Sequence, residues 1–334
     1  MIPESVSIRE VGPRDGFQNE PEAIATERKV ELIDMLARTG LQRLEVTSFV
    51  RPDVIAQLAD AEQVLAAIDV PDEVSLSVLI PNERGLERAL EVRRDREGAS
   101  MVDGIATDRR SKGSPIGQPA RPAFDEVNVF LSASETHNRK NVNRSVEGSL
   151  ESLERVLPRA RKEGLRCEAV ISTSFGCPYE GHVPPERVLE IARRLRDAGA
   201  QEIGFGDTTG MANPRQVGEL FGLWRESLGE VELTAHFHNT RGQGLANVLA
   251  ALQAGVTSFE SSFGELGGCP VPPGATGNIA TEDLVSMLEG MGIETGVDLE
   301  ALLACSRRVQ ELLGRRLGSH TLVAGPVDWR GAGR

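Results

Sequence analysis

Aromatic side chains make up only 4% of this 334-residue sequence, so its core must rest on Leu, Val, Ile and Ala. Cysteine is also scarce. The four residues Cys167, Cys177, Cys269 and Cys305 are widely spaced and form no CxxC pair, which excludes a disulfide framework and a thiolate zinc module. No apolar run approaches the roughly 18 residues of a membrane span, so no membrane partner is expected. The opening MIPESVSIREVG enters a strand pattern at once, and we expect no signal or transit peptide and a cytoplasmic protein. Positive charge is the minority sign: 37 Lys and Arg against 50 Asp and Glu leave a net charge of −13. A nucleic-acid partner needs clustered basic residues and is not expected.

What is present is a rhythm. Strand-like β-branched runs occur at 5–12, 43–49, 74–80, 126–134, 168–175, 202–208, 233–240 and 258–263. Between them lie runs such as ATERKVELIDMLARTG, with apolar residues three and four apart and a terminal Gly, the mark of amphipathic helices. Strict alternation predicts a parallel sheet. Eight units over roughly 250 residues fit an α/β fold of the (β/α)₈ TIM-barrel type, and the first βα turn lacks the GxGxxG of a dinucleotide fold. We expect one barrel domain over 1–318 with an extra C-terminal helix, then a tail at 319–334. A Gly-, Ser- and Pro-rich insertion, 97–124, separates helix 3 from strand 4. At that length it is either a mobile surface loop or a basic flap built on Arg109, Arg110 and Lys112.

In such barrels chemistry gathers at the C-terminal strand ends. Arg14 and Asp15 follow strand 1, Glu45, Thr47 and Ser48 lie on strand 2, Asp207 and Thr208 end strand 6, and His236 and His238 lie on strand 7. Two of only five histidines therefore stand one residue apart. Residues i and i+2 of a strand share a face, and two imidazoles turned against aliphatic helices would lack hydrogen-bond partners. Turned inward, they form half of a metal site, with Asp15 the best-placed carboxylate. A mixed nitrogen and oxygen set without thiolate favours Mg²⁺ or Mn²⁺ and leaves Zn²⁺, Co²⁺ and Fe²⁺ open.

After strand 8 comes GELGGCPVPPGATGNIATEDL, residues 264–284. Cys269 follows two glycines there, over the expected mouth of the site, and is a catalytic candidate; Thr281 is placed to cap the next helix. After strand 4, HNRKNVNRS carries Arg139, Lys140 and Arg144, suited to phosphate groups.

Taken together and in order, EVGPRDGFQNE, LEVTSFV, GCPYEG, GDTTG, HFHNT and GGCPVPPGATGNIATEDL resemble the 3-hydroxy-3-methylglutaryl-CoA lyase family of DRE-TIM metallolyases over residues 6–295, the insertion apart. The resemblance implies a (β/α)₈ barrel that binds a divalent cation, Mg²⁺ or Mn²⁺, through Asp15, His236, His238 and Asn278. It implies that Arg14 stabilises an enolate, that Glu45 supports Arg14, that Asp207 is an acid or base, and that Cys269 takes part in proton transfer. Gln18, Ser48, Arg139, Lys140 and Thr208 complete the expected contacts to an acyl-CoA substrate. The implied reaction is retro-Claisen cleavage of 3-hydroxy-3-methylglutaryl-CoA to acetyl-CoA and acetoacetate, with citramalyl-CoA or an isoprenoid-derived thioester as the alternative. A homo-oligomer, dimer or tetramer, is expected. Three positions depart from the family pattern: Asn239 where Asp is usual, Gly204 where Ser often faces substrate, and Thr209 in place of Ile. Differences between substrates are expected to follow from them.

Overall fold

A computed structural model describes residues 2–102, 121–268 and 277–327. Eight strands close into a parallel barrel in chain order: β1 Ser7–Glu10, β2 Arg43–Ser48, β3 Ser75–Leu79, β4 Glu126–Ser132, β5 Arg166–Ser172, β6 Glu202–Asp207, β7 Glu232–Phe237 and β8 Ser258–Ser261. Each of the eight expected strand segments overlaps one, with β5 and β7 beginning ahead of theirs. The helices before β5 are α1 Thr26–Leu36, α2 Ala61–Ala67, α3 Glu83–Val102, α4 Glu135–Val142 and α5 Val146–Lys162. They continue as α6 Pro185–Asp197, α7 Pro214–Leu228, α8 Gly244–Gln253, α9 Thr281–Gly290, α10 Leu299–Leu313 and α11 His320–Ala324.

The helices and the tail also differ from the sequence reading. Helix α3 runs to Val102, so the segment read as a loop from residue 97 begins as helix; Arg109, Arg110 and Lys112 lie outside the described residues. The tail beyond 318 is partly folded. Asp283 on α9 accepts from Ser319 Oγ at 3.0 Å and from the His320 and Thr321 amides at 2.9 and 2.7 Å, fixing the start of α11. Thr281 does not cap α9. It is the first helical residue, and its hydroxyl donates instead to Glu10 Oε2 at 2.6 Å.

Most of the core between barrel and helices is aliphatic, with one cluster of aromatic rings at α7. Trp224 of α7 stacks on Phe205 of β6 with centroids 4.0 Å apart, and Phe175 and Phe221 close around it. The inside of the barrel is not the aliphatic filling common to this fold. At its N-terminal end Arg9 and Arg43 reach across to glutamates from four other strands. Arg9 Nη2 lies 2.9 Å from Glu126 and 3.3 Å from Glu202, Nη1 lies 3.1 Å from Glu260, and Glu168 also pairs with it. Arg43 bridges Glu126 at 2.8 Å and Glu202 at 2.5 Å.

The seam between β1 and the C-terminal half is sewn by carboxylates. Glu10 accepts from the Gly12 amide at 2.7 Å and the Phe263 amide at 3.0 Å, besides Thr281. Glu282 accepts from the Gly264 amide at 2.9 Å and from the Ser306 hydroxyl. Burial outweighs these donors and pushes Glu10 up to about 8 and Glu282 up to about 7. A carboxyl with a raised folded pKa holds its proton more tightly folded than unfolded. Its contribution to stability is full below its ordinary value of 4.5 and is lost as the pH rises through the folded value. The Tm of the wild type is expected to fall by several degrees between about pH 6 and about pH 9. Glu10→Gln should lose less over the same interval; parallel melting curves for the two proteins would refute this role.

Candidate metal centre and active site

Inward-facing side chains at the C-terminal end of the barrel meet around one cavity of about 550 Å³. Alternation on β7 turns His236 inward, and His238 follows just beyond the strand, joined by an isolated bridge to Asn278. The two Nε2 atoms face each other at 3.0 Å. Asp15 comes from the wide helical turn Gly12–Gly16 after β1, and its carboxylate and both imidazoles place ligand atoms within 4.8 Å of one another. Asn278 donates to Asp15 Oδ2 at 2.7 Å, while its buried Oδ1 has no hydrogen-bond partner. Gly267 allows this approach: a Cβ there would stand 2.8 Å from Asn278 Nδ2, and its φ is +100°.

The donor set fits a divalent cation. Two imidazole nitrogens and a carboxylate converge, and the Asn278 amide bonded to that carboxylate keeps a buried oxygen with no partner, an acceptor that a cation would satisfy. The electrostatics agree. Burial works against the charge of Asp15, but Arg14 and the two histidines outweigh it and hold the carboxyl below its ordinary range.

Beside this cluster, Arg14 is fixed from two sides. Its Nε reaches Glu45 Oε2 at 2.5 Å and its Nη1 reaches Asp15 Oδ1 at 2.9 Å. Glu45 in turn accepts from Asn128 Nδ2 at 2.9 Å. Gln18 donates to Asp15 Oδ1 at 3.0 Å. Lys140 stands 4.7 Å over the Tyr179 ring, and both line the cavity with Thr208, His137 and Gly268.

The family profile described as HMGL-like matches residues 5–309. The chain belongs to the HMGL-like family. It is 45% identical over 320 residues to the hydroxymethylglutaryl-CoA lyase of Bacillus subtilis, covering 96% of this chain and 97% of that one. The (R)-citramalyl-CoA lyase of Chloroflexus aurantiacus is 39% identical over 97% of this chain and 96% of its own. An HMG-CoA lyase from Acinetobacter baumannii, solved with coenzyme A and 3-methylmalate, superposes with a TM-score of 0.84 at 36% identity, covering 97% and 96% of the two chains.

Against this HMGL-like frame, the residues singled out from sequence divide. Arg14, Asp15, Gln18, Lys140, Thr208, His236 and His238 line the cavity, and Glu45 and Asn278 hold two of them in place. Three expected contacts lie elsewhere. The Ser48 hydroxyl accepts from the Val50 amide at 3.2 Å and is buried. Arg139 is exposed and paired with Glu135 at 2.7 Å on its own helix. Asp207 is absent from the described cavity wall, because Gly206 and Thr208 take the inward positions on either side of it. Its Oδ1 accepts from the Met211 and Ala212 amides at 2.7 and 3.1 Å, and its Oδ2 is buried without a partner. Burial pushes this carboxyl up to about 7 despite the two amides. Cys269 lies outside the described residues.

The departures from the family pattern also miss the described wall of the cavity: Asn239, Gly204 and Thr209 are not part of it. Asn239 Oδ1 accepts from the Gly244 amide at 3.3 Å, where α8 begins. Glu260, Asn128 and His137 were not picked out from sequence. Glu260 is the lone acid of strand 8, and only the strand register shows what stands beside it.

Proposed function

We propose that the protein is a carbon–carbon lyase that cleaves 3-hydroxy-3-methylglutaryl-CoA to acetyl-CoA and acetoacetate, with Mg²⁺ or Mn²⁺ as its divalent cation. One observation carries this reading: the ligand atoms of Asp15, His236 and His238 converge, with Asn278 bonded to Asp15, in the same cavity as a guanidinium held at Glu45 and Asp15. A cation bound by those four residues supplies Lewis acidity toward substrate oxygens.

The chain's own groups do the rest. Arg14 presents fixed positive charge to the thioester oxygen, where negative charge grows as the C2–C3 bond breaks and its electron pair moves into an enolate. The tertiary hydroxyl must lose its proton in the same step. The family resemblance nominates Asp207 for that transfer; it stands outside the described cavity wall but immediately precedes Thr208 of that wall, and burial raises its carboxyl to about 7. The enolate then takes a proton at carbon; Cys269 follows directly on cavity-lining Gly268 and is the residue the family resemblance nominates for that transfer. Lys140 brings a cation for the phosphates of CoA. The complex of the Acinetobacter lyase with coenzyme A supports a CoA thioester as the ligand.

The second reading is cleavage of citramalyl-CoA to acetyl-CoA and pyruvate, favoured by the Chloroflexus relative. Incubating the Mg²⁺- or Mn²⁺-loaded protein with each thioester and measuring acetyl-CoA, acetoacetate and pyruvate separates the two. We expect acetyl-CoA and acetoacetate in equal amounts from the first substrate. Cleavage of neither would refute the lyase assignment, and pyruvate alone would transfer it to the second reading.

A further inference from the structure

Glu260 takes no part in the donor set or in the chemistry above, yet it stands between the barrel's charged interior and the histidine pair. The strand register puts it there. Arg9 on β1 pairs with Glu260 on β8, and Glu260 pairs with His236 on β7. Three neighbouring strands thus carry three inward side chains at one level of the barrel. Glu260 Oε1 accepts from Arg9 Nη1 at 3.1 Å, and Oε2 lies 2.8 Å from His236 Nδ1. Glu260 borders the cavity, yet only 2% of it is exposed. Arg9 is itself held by Glu126 and Glu202. The carboxylate is therefore clamped at one end by a rigid ionic layer and addresses an imidazole at the other.

We propose that Glu260 is the positioning residue of the metal centre, accepting the Nδ1 proton of His236 so that the unprotonated Nε2 is held toward His238 and Asp15. An imidazole has one protonated and one free nitrogen, and a hydrogen bond at one decides which nitrogen is left to bind a cation. Without that acceptor the ring loses both its fixed tautomer and its fixed rotation. The Arg9–Glu260–His236 row transmits the rigidity of the barrel floor to a metal ligand through two contacts. This inference rests on the cation reading of the cluster and is independent of which acyl group is cleaved.

The test is direct Mn²⁺ binding, read from the EPR signal of free Mn²⁺ in titrations of metal-free protein. Glu260→Gln is expected to raise the Mn²⁺ Kd about 10- to 100-fold. The comparison variant is Glu126→Gln, which disturbs the same Arg9 and Arg43 layer but does not touch His236; its Kd should stay within about threefold of wild type. Equal weakening in both variants, or an unchanged Kd in Glu260→Gln, would overturn the proposal. If Glu260→Gln does not fold, the wild type decides. In Mg²⁺-loaded, ¹⁵N-histidine-labelled protein, with the His236 signals assigned by their loss in His236→Asn, Nδ1 should carry the proton; a protonated Nε2 would overturn it. A wild type that binds no Mn²⁺ would overturn the metal reading and this inference together. One that binds Mn²⁺ but cleaves neither thioester would overturn the lyase assignment and leave this inference standing.

Discussion

Arg14→Gln is expected to lower kcat about 10²–10³-fold with a much smaller change in the KM for the acyl-CoA. The guanidinium is nearly buried, at 13% side-chain exposure, and is held by carboxylates on β2 and on the turn after β1. It is therefore aimed before substrate arrives, and little reorganisation accompanies the growth of charge opposite it. Because that charge appears only as the carbon–carbon bond breaks, the loss belongs in kcat rather than in ground-state binding. Arg14→Lys should recover little, since an ammonium cannot span Glu45 and Asp15 while facing a third oxygen. Steady-state kinetics under saturating metal provide the check; a kcat for Arg14→Gln within about fivefold of wild type would remove Arg14 from the chemistry.

The largest effect on stability is expected from Arg9→Met. The side chain is fully buried, and Glu126, Glu168, Glu202 and Glu260 all converge on it. Removing one partner of a buried pair costs about 3–5 kcal/mol, because the charge left behind is neither solvated nor paired. Here four carboxylates lose the same cation, against a total stability of about 5–15 kcal/mol for a typical domain. Arg9→Met should be insoluble or lack a cooperative urea transition. Replacing charge on both sides is a different experiment. Arg9→Met combined with Glu168→Leu removes two groups of zero side-chain exposure together, and part of the lost stability should return. A single Arg9→Met variant with a wild-type urea midpoint would refute the picture of a cation-dependent floor.

The eight strands were legible because β-branched runs alternate with amphipathic helices. Strand parity was enough to bring His236 and His238 to one face. The same parity, applied to β6, sets Asp207 between inward Gly206 and Thr208 and outside the described cavity wall, a placement that its position at the strand end does not show. Arg139 and Lys140 show the helical counterpart. Neighbours on a helix point about 100° apart, so Lys140 reaches Tyr179 while Arg139 turns back to Glu135. Asn278 lay beyond any period, since it arrives on a loop bridging to His238. Family resemblance located it; spacing did not. Glu260 was hidden for a related reason: which residues stand side by side across parallel strands depends on register, which a single chain does not display.

The hydrogen bond between Asn278 and Asp15 joins residues 263 positions apart, and Glu10 is tied to Thr281 across 271. A chain emerging from the ribosome therefore exposes Asp15 long before its partners exist. The four donors can gather only after β7 and the segment 277–280 have been made. Capture of the cation becomes a late event of synthesis that favours finished over truncated chains, since a ligand that binds only the folded state stabilises only the folded state.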